Sequence, residues 1–211
     1  MTDESGDVPD LLRRAADGDP AAADALFARY RDRLKRMVQL RLSRRLQGRV
    51  DDSDVLQEAY LEAARKLPEY AADPHLPVFL WLRHLTGLKL AEVHRRHLGT
   101  QLRDADREMT LHRGGLPAVN SVSLAAQLLG KLTTPSQAAI KAETRLHVQE
   151  ALNAMDPIDR EVLALKHFEQ LSTSEIATAL GLSKAGAGSR YLRALRRLKE
   201  VLSQIPGFTE F

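Results

Sequence analysis

Apolar residues recur every three or four positions through most of this chain, which is the spacing of an amphipathic helix. The clearest tracts cover 9–17, 20–46, 51–67 and 77–97, and polar residues separate the apolar ones in each. No stretch shows the strict apolar–polar alternation of a half-buried strand. The sequence therefore predicts an all-α fold.

A polar segment divides this pattern in two. Residues 98–134 include the pair Gly114-Gly115 and have weak apolar periodicity. Because glycine and polar clusters mark connecting segments, we interpret 98–134 as a partly ordered linker. The chain then consists of two small helical domains, 8–97 and 135–205.

Two weaker helix signals lie in and beside this linker. Residues 121–130 are apolar enough to form one short helix. Thr134 and Gln137 have the spacing of a capping box, in which each side chain bonds the backbone N–H of the other residue. They predict a helix that continues towards Met155.

Start and stop signals are most specific in the second domain. Asp156 stands immediately before a proline, an arrangement that begins helices. Ser172 and Glu175 form a capping box. Gly181 is suited to ending that short helix, and Ser183 to capping the next. This succession of helix, short helix, tight turn and helix is the layout of a helix-turn-helix reader of DNA.

The last helix, predicted to end at Leu202, has two chemically distinct faces. Its apolar face comprises Tyr191, Leu192, Leu195, Leu198 and Leu202. Its cationic face comprises Arg190, Arg193, Arg196 and Arg197. A groove-entering helix needs this division, since neutralising phosphates supplies much of DNA affinity. The alternative is a solvent-exposed basic helix on an ordinary α-domain.

Composition narrows the class of protein. The 211 residues include 31 Lys and Arg against 28 Asp and Glu, a formal net charge of +3. Residues 1–24 are acidic while 29–49 and the last helix are basic, which favours a polyanionic partner such as nucleic acid. The absence of cysteine excludes disulfides and thiolate metal sites. No apolar run reaches the length of a membrane span and the N-terminus is acidic, so we expect a cytoplasmic protein without membrane insertion.

Motifs of catalysis and metal binding are missing from the sequence. It has no Gly-rich phosphate loop, no G-x-S-x-G and no H-E-x-x-H. His94 and His97 have a spacing that could chelate a metal ion, but Arg95 and Arg96 beside them would repel a cation. We therefore expect no enzymatic activity, no metal and no cofactor, and we interpret this basic segment as facing nucleic acid.

Two sets of motifs resemble one protein family. Residues 51–61, DDSDVLQEAYL, closely resemble the D-x-x-D-(L/V)-x-Q-E-x-(F/Y)-L signature of bacterial sigma factors, and Trp81-Leu82 matches the W-L of the next helix in that family. Residues 152–202 resemble the family's −35-reading domain through DREVL, FEQLS, EIA, LGLS and SRYLRA. The chain is therefore identified as a member of the sigma-70 family. Its two domains and short connector resemble the extracytoplasmic-function (ECF) class.

The resemblance implies a docking helix for core RNA polymerase. In the family this helix binds the polymerase clamp, which implies contacts with the β and β′ subunits. The residues concerned are Asp51, Asp54, Gln57, Glu58 and Leu61. Carboxylates in the first turn of a helix also cap it, so for the stretch 51–54 capping and docking both stay open.

The resemblance also implies contacts with promoter DNA. Residues 79–97 correspond to the helix that melts and reads the −10 element, and the last helix corresponds to the −35 reader. The predicted DNA-binding residues are Phe79, Arg83, Lys89, Arg95, Arg96, Lys184, Ser189, Arg190, Arg193 and Arg197. Trp81 lies on the apolar stripe and is interpreted as a core residue. Phe79 lies off that stripe, and base stacking and burial both stay open for its ring.

The start of the last helix departs from the family pattern. Residues 185–188 read AGAG where family members commonly have G-T-V-K. Each glycine costs a helix about 1 kcal/mol relative to alanine. We expect close approach to DNA to explain Gly186, and tight packing on the preceding short helix to explain Gly188.

These observations predict a sigma factor, a dissociable subunit that gives core RNA polymerase promoter recognition and opens the duplex. A controlling partner such as an anti-sigma factor is compatible with this prediction. Two alternatives stay open: a free-standing helix-turn-helix transcription regulator, and a polymerase-interaction module with no role on DNA. Co-purification with core polymerase and promoter-dependent initiation distinguish the three.

Overall fold

The computed structural model of the chain describes residues 7–43, 45–98, 116–132 and 138–203. Those ranges contain nine helices and no β-strand, only an isolated bridge between Gln47 and Val50. The helices are α1 (Val8–Ala16), α2 (Pro20–Arg41), α3 (Asp52–Ala72), α4 (Val78–Leu98), α5 (Ser121–Leu132), α6 (Ala138–Ala154), α7 (Pro157–His167), α8 (Thr173–Leu180) and α9 (Lys184–Leu202). The predicted all-α fold is confirmed.

The chain divides into two compact units. The first comprises α1–α4, apart from the last turn of α2 at residues 39–41, which groups with the second; the second comprises α5–α9. Across the residues described, no helix is both long and apolar enough to cross a membrane.

Aspartates cap the N-termini of two long helices, α2 and α3. The Asp19 carboxylate accepts hydrogen bonds from the backbone N–H groups of Ala21 and Ala22, at 2.9 and 3.2 Å. The Asp51 carboxylate accepts one from Ser53 at 2.9 Å. These bonds satisfy N–H groups that have no partner within the first turn.

The ends of α2 and α3 differ from the sequence prediction. α2 ends at Arg41 rather than near Leu46, because Leu42 takes extended backbone angles of φ −64° and ψ 122°. α3 continues through Pro68 as far as Ala72. A proline inside a helix removes one backbone hydrogen bond, so packing from elsewhere has to hold the turn that follows it.

Tyr70 supplies that packing. Its ring stacks on Trp81 of α4 with centroids 4.2 Å apart and planes 12° apart. Its hydroxyl donates to the backbone carbonyl of Leu76 at 2.5 Å. Trp81 is buried, so the core role predicted for it is confirmed. These contacts fasten the last turn of α3 to α4 within the first unit.

α5 and α6 pack together in the second unit. The buried residues that the two helices contribute to its core are Leu124, Ala125, Leu129, Val148 and Leu152. The Asn120 side chain caps α5 by accepting from the backbone N–H of Val122 at 2.9 Å. The short helix predicted at 121–130 is therefore confirmed as α5, and its buried residues pack with those of α6. Thr134 and Gln137 lie outside the described residues.

α7 and α8 begin at the predicted signals. The Asp156 carboxylate accepts from the backbone N–H of Ile158 at 2.8 Å. The Ser172 hydroxyl accepts from the backbone N–H of Glu175 at 3.2 Å, and the Glu175 carboxylate accepts from that of Ser172 at 2.8 Å. The predicted capping box is thus confirmed.

A tight turn joins α8 to α9. Gly181 has φ 63° and ψ 35°, a left-handed conformation that costs glycine little because it has no Cβ. The backbone N–H of Leu182 donates to the carbonyl of Ala177 at 2.9 Å, which closes α8. The Ser183 hydroxyl accepts from the N–H of Gly186 at 3.0 Å, and so caps α9 as predicted.

Candidate polymerase and nucleic-acid interfaces

One side of α3 carries an accessible set of polar side chains with a leucine among them. Asp54, Gln57, Glu58 and Leu61 follow one another at spacings of three, one and three residues, which places them on one face. Asp54 and Gln57 are exposed, Glu58 is half-buried, and Leu61 is 61% exposed. The buried face of the same helix comprises Val55, Leu56, Ala59, Ala63 and Leu67. These four residues of the exposed face are therefore available to a partner.

Asp51 stands apart from this set. Its carboxylate caps α3, and the hydrogen bond from the backbone of Ser53 is the main reason that the pKa of Asp51 lies below its usual value. Asp52 lies 3.8 Å from the ammonium of Lys35. The contacts at the start of α3 thus favour capping for Asp51, one of the two roles that the sequence left open.

The structure places two predicted DNA-binding residues of α4 in the interior. Phe79 is 2% exposed, and the ring of Tyr30 lies against it with centroids 5.7 Å apart. Arg83 is 5% exposed. For Phe79 the structure favours burial, one of the two roles that the sequence left open. The prediction that Arg83 faces nucleic acid is wrong, because the first turns of α4 are buried on more sides than one apolar stripe suggests. Four successive residues there, Phe79, Leu80, Trp81 and Leu82, are all buried.

The exposed cations of α4 lie towards its C-terminal end. Arg95 and Arg96 are exposed, and Lys89 is half-buried. Glu92 lies 2.9 Å from Arg96 and 3.3 Å from Lys89, and the hydrogen bond from Lys89 is the main cause of its lowered pKa. Arg96 also lies 3.7 Å from Glu58 of α3. The surface that the sequence assigns to DNA is therefore partly neutralised by carboxylates of the same unit.

The two histidines of α4 do not share a surface. His94 is buried, and its Nε2 accepts a hydrogen bond from the backbone N–H of Ser43 at 3.3 Å. His97 is exposed. The interpretation of His94 as part of a basic surface is wrong, since the ring is used inside the unit. The described part of the chain contains no group of three or more His, Cys, Asp or Glu that could hold a metal ion.

α9 exposes most of the residues predicted to contact DNA. Those exposed are Lys184, Ser189, Arg193 and Arg197, together with Arg196. Arg190 is half-buried, with its Nη1 2.7 Å from Asp159 of α7 and 3.3 Å from Asp156, which caps that helix. The hydrogen bond to Asp159 is the main cause that raises the pKa of Arg190. The helix thus offers a cationic surface in which Arg190 is already paired.

The buried face of α9 differs from the apolar stripe read from the sequence. Leu192, assigned to the stripe, is 59% exposed. Ala187 and Ala194 are buried instead, on the same face as the buried Leu198 and Leu202. Sequence reasoning missed the two alanines because their small side chains carry a weak hydrophobic signal. Their spacing of seven residues, two helical turns, was the signal that could have found them.

The two glycines of α9 have different surroundings. A Cβ at Gly188 would meet no atom within 4 Å outside its own helix backbone, so the expectation of tight packing there is wrong. A Cβ at Gly186 would lie 3.0 Å from the Ser183 hydroxyl. Its nearest neighbour is therefore the cap of its own helix.

Comparison with known proteins agrees with these features. The family model described as ECF sigma factor matches residues 5–202. ECF RNA polymerase sigma factor SigD of Mycobacterium tuberculosis (strain ATCC 25618 / H37Rv) is 26% identical over 200 residues, covering 95% of this chain and 86% of that protein. RNA polymerase sigma factor CarQ of Myxococcus xanthus is 27% identical over 199 residues, covering 92% and 97%. RNA polymerase sigma-E factor of Streptomyces antibioticus is 43% identical over 58 residues, which are 28% of this chain and about a third (32%) of that relative.

A solved structure shares the fold. CnrH, in complex with the cytosolic domain of CnrY, has a TM-score of 0.56 and 22% identity, covering 93% of this chain and 97% of that one. The chain belongs to the ECF sigma factor family. Sigma factors of this kind direct RNA polymerase to promoters, where transcription begins.

Proposed function

We propose that the two units divide the work of a sigma factor. The first, residues 8–97, binds core RNA polymerase through α3 and acts at the −10 element through α4. The second contains the predicted domain 135–205 together with α5, and it reads the −35 element through α9. Residues 98–120 connect the two.

The exposed face of α3 supports the docking role. Leu61 lies beside Gln57 and Glu58, so a large apolar side chain is rimmed by polar ones, as in protein interfaces. Asp54 adds a carboxylate that attracts a basic partner surface. These four residues, with Asp51 at the edge, are the proposed contacts with the β and β′ subunits.

The exposed cationic side of α9 is the observation that carries the promoter-binding role. Arg193, Arg196 and Arg197 are exposed on the last helix of a helix-turn-helix whose caps and turn are formed. Guanidinium groups on such a helix can neutralise phosphates and donate to guanine in the major groove. Lys184 and Ser189 are exposed nearer its N-terminus, the end that enters the groove.

For the −10 element, we propose that the exposed end of α4 contacts the DNA backbone. Arg95 and Arg96 are exposed there, with Lys89 one to two turns before them. The energy for strand opening would come from binding, through capture of unstacked bases by the first unit in the polymerase complex. The chain then needs no catalytic residue and no cofactor, because the polymerase performs the chemistry.

Run-off transcription tests the proposal. Purified core polymerase and the full chain are incubated with a library of genomic fragments, and the expected result is discrete transcripts that require both proteins. A free-standing regulator would bind the fragments without polymerase and give no such transcripts. An interaction module would co-purify with core polymerase yet leave transcription at the level of core alone.

Control by an anti-sigma factor and a cytoplasmic location complete the proposal. An anti-sigma factor would act by covering α3 or α9, because both present accessible polar faces to a protein partner. A candidate regulator should then compete with core polymerase for the chain in a pull-down titration. Cell fractionation tests the location, and recovery of the chain with membranes alone would contradict it.

A further inference from the structure

We propose that Asp159 is a positioning residue for the DNA-reading helix. In this view Asp159 anchors Arg190 to α7 and orients Arg193 towards DNA. The inference rests on the proposed −35 role of α9. It assigns Arg190, predicted from the sequence to bind DNA, to a contact inside the unit.

The anchor is a buried carboxylate. Asp159 is 3% exposed in the first turns of α7, and its Oδ1 accepts a hydrogen bond from Arg190 Nη1 at 2.7 Å. A carboxylate withdrawn from water is costly unless a cation pairs with it. If Arg190 turned away to bind a phosphate, Asp159 would lose its closest partner. Asp156 Oδ1 lies 3.3 Å from the same Nη1 and is a second carboxylate partner of the guanidinium.

Arg193 meets the same carboxylate in a different way. Its Nε lies 3.6 Å from Asp159 Oδ2, and its side chain is 59% exposed. An arginine held near Nε has its two terminal amino groups available, and those groups pair with guanine O6 and N7 or with phosphate. Holding the side chain in place before binding also reduces the rotamer entropy lost when DNA is bound. The carboxylate therefore preorganises Arg193.

If Asp159 has this role, replacing it changes promoter affinity in the direction opposite to that expected from charge alone. DNA is a polyanion, so removing a negative charge beside the reading helix should strengthen binding or leave it unchanged. If Asp159 positions the arginines, Asp159→Asn should weaken promoter binding instead. Glu150→Gln is the control: it removes one negative charge from an exposed side chain of α6 in the same unit, beside His147 instead of the arginines of α9.

The test uses holoenzyme, the full chain bound to core polymerase, and a labelled promoter fragment titrated at several salt concentrations. We expect Asp159→Asn to weaken binding about ten-fold, as for loss of a charged hydrogen bond, and Glu150→Gln not to weaken it. Arg193→Ala should lower the slope of log affinity against log salt by about one. Arg190→Ala should weaken binding and leave that slope unchanged. The double variant Arg190→Ala with Asp159→Asn should bind promoter only slightly more weakly than either single variant.

Two results would overturn the proposal. One is a folded Asp159→Asn variant that binds the fragment as tightly as the parent; circular dichroism establishes that it is folded. The other is a salt slope lowered by Arg190→Ala as much as by Arg193→Ala, and this result decides the matter if Asp159→Asn does not fold. Failure of the parent holoenzyme to bind any promoter fragment would refute the −35 role itself, and the positioning role with it.

Discussion

The guanidinium of Arg33 lies over the ring of Phe79, 3.6 Å from its centroid. This contact joins α2 to α4 inside the first unit. A cation over a buried aromatic face stabilises by about 1 to 2 kcal/mol when both groups are withdrawn from water. The ring face that a DNA base would need is therefore occupied by a side chain of the same unit.

Replacing Phe79 should consequently affect folding before it affects DNA. We expect Phe79→Ala to lower the free energy of unfolding of the first unit by about 3 to 5 kcal/mol, as for a buried phenylalanine, and Phe79→Leu to lower it much less. Trp81 is the single tryptophan of the chain, so its fluorescence during denaturant titration reports this unit. Unchanged unfolding together with lost promoter opening would show that the ring acts on DNA after all.

Charge reversal on the exposed face of α3 should weaken polymerase binding. Asp54→Lys is expected to reduce affinity for core polymerase by about ten-fold or more, because like charges brought together at an interface cost several kcal/mol. Asp32→Lys is the control, an equal change in charge at an exposed position of α2 in the same unit. Binding is measured by titrating labelled chain with core enzyme, and helicity by circular dichroism. Equal affinities for the two variants would refute docking through this face.

The two glycines of α9 should respond differently to alanine. Gly188→Ala should stabilise the second unit by up to about 1 kcal/mol, because the added methyl group meets open space and alanine favours helix. Gly186→Ala should stabilise the unit less, since its Cβ would lie 3.0 Å from the Ser183 hydroxyl that caps the helix. Thermal unfolding of both variants is the measurement. A lower melting temperature for Gly188→Ala would show crowding around that position.

Leu192 and Leu198 offer a matched pair on one helix. Leu192 is largely exposed and Leu198 is buried. We expect Leu192→Ala to change stability by less than about 0.5 kcal/mol, and Leu198→Ala to lower it by about 2 to 5 kcal/mol. Denaturant unfolding checks both. Similar losses at the two positions would mean that Leu192 packs in the core, as the sequence suggested.

Asp156 should make part of the stability depend on pH. Burial opposes its ionisation, but the hydrogen bond from the backbone of Ile158 and the charge of Arg190 outweigh burial, so its pKa is lowered. A lowered pKa contributes stability above the ordinary aspartate value of about 4, and that contribution is lost as pH falls through the folded pKa. The parent should therefore be more stable than Asp156→Asn at pH 7, and the difference should shrink below about pH 4. Melting temperatures of both proteins over this range are the measurement, and a difference independent of pH would contradict the ion pair.

The sequence by itself determined where several helices of this protein begin and end. Asp156 and Ser172 begin helices because their side chains accept hydrogen bonds from the first turn. Gly181 ends a helix because glycine adopts the left-handed conformation at little cost. Such signals are readable because the bonds they make reach only two or three residues along the chain. The motifs of residues 51–61 and 152–202 likewise indicated the family, because they depend on residue identity and order alone.

Only the tertiary structure decided which side chains are free to act. Periodicity gives the direction of a side chain on its own helix, but burial depends on what other helices bring to that side. For this reason Phe79 and Arg83 proved to be interior and Leu192 exposed. The pairing of Arg190 with Asp159 joins residues 31 positions apart, a contact that no local spacing encodes. The sequence therefore predicted the cationic face of α9, while the fold determined which of its arginines are already paired.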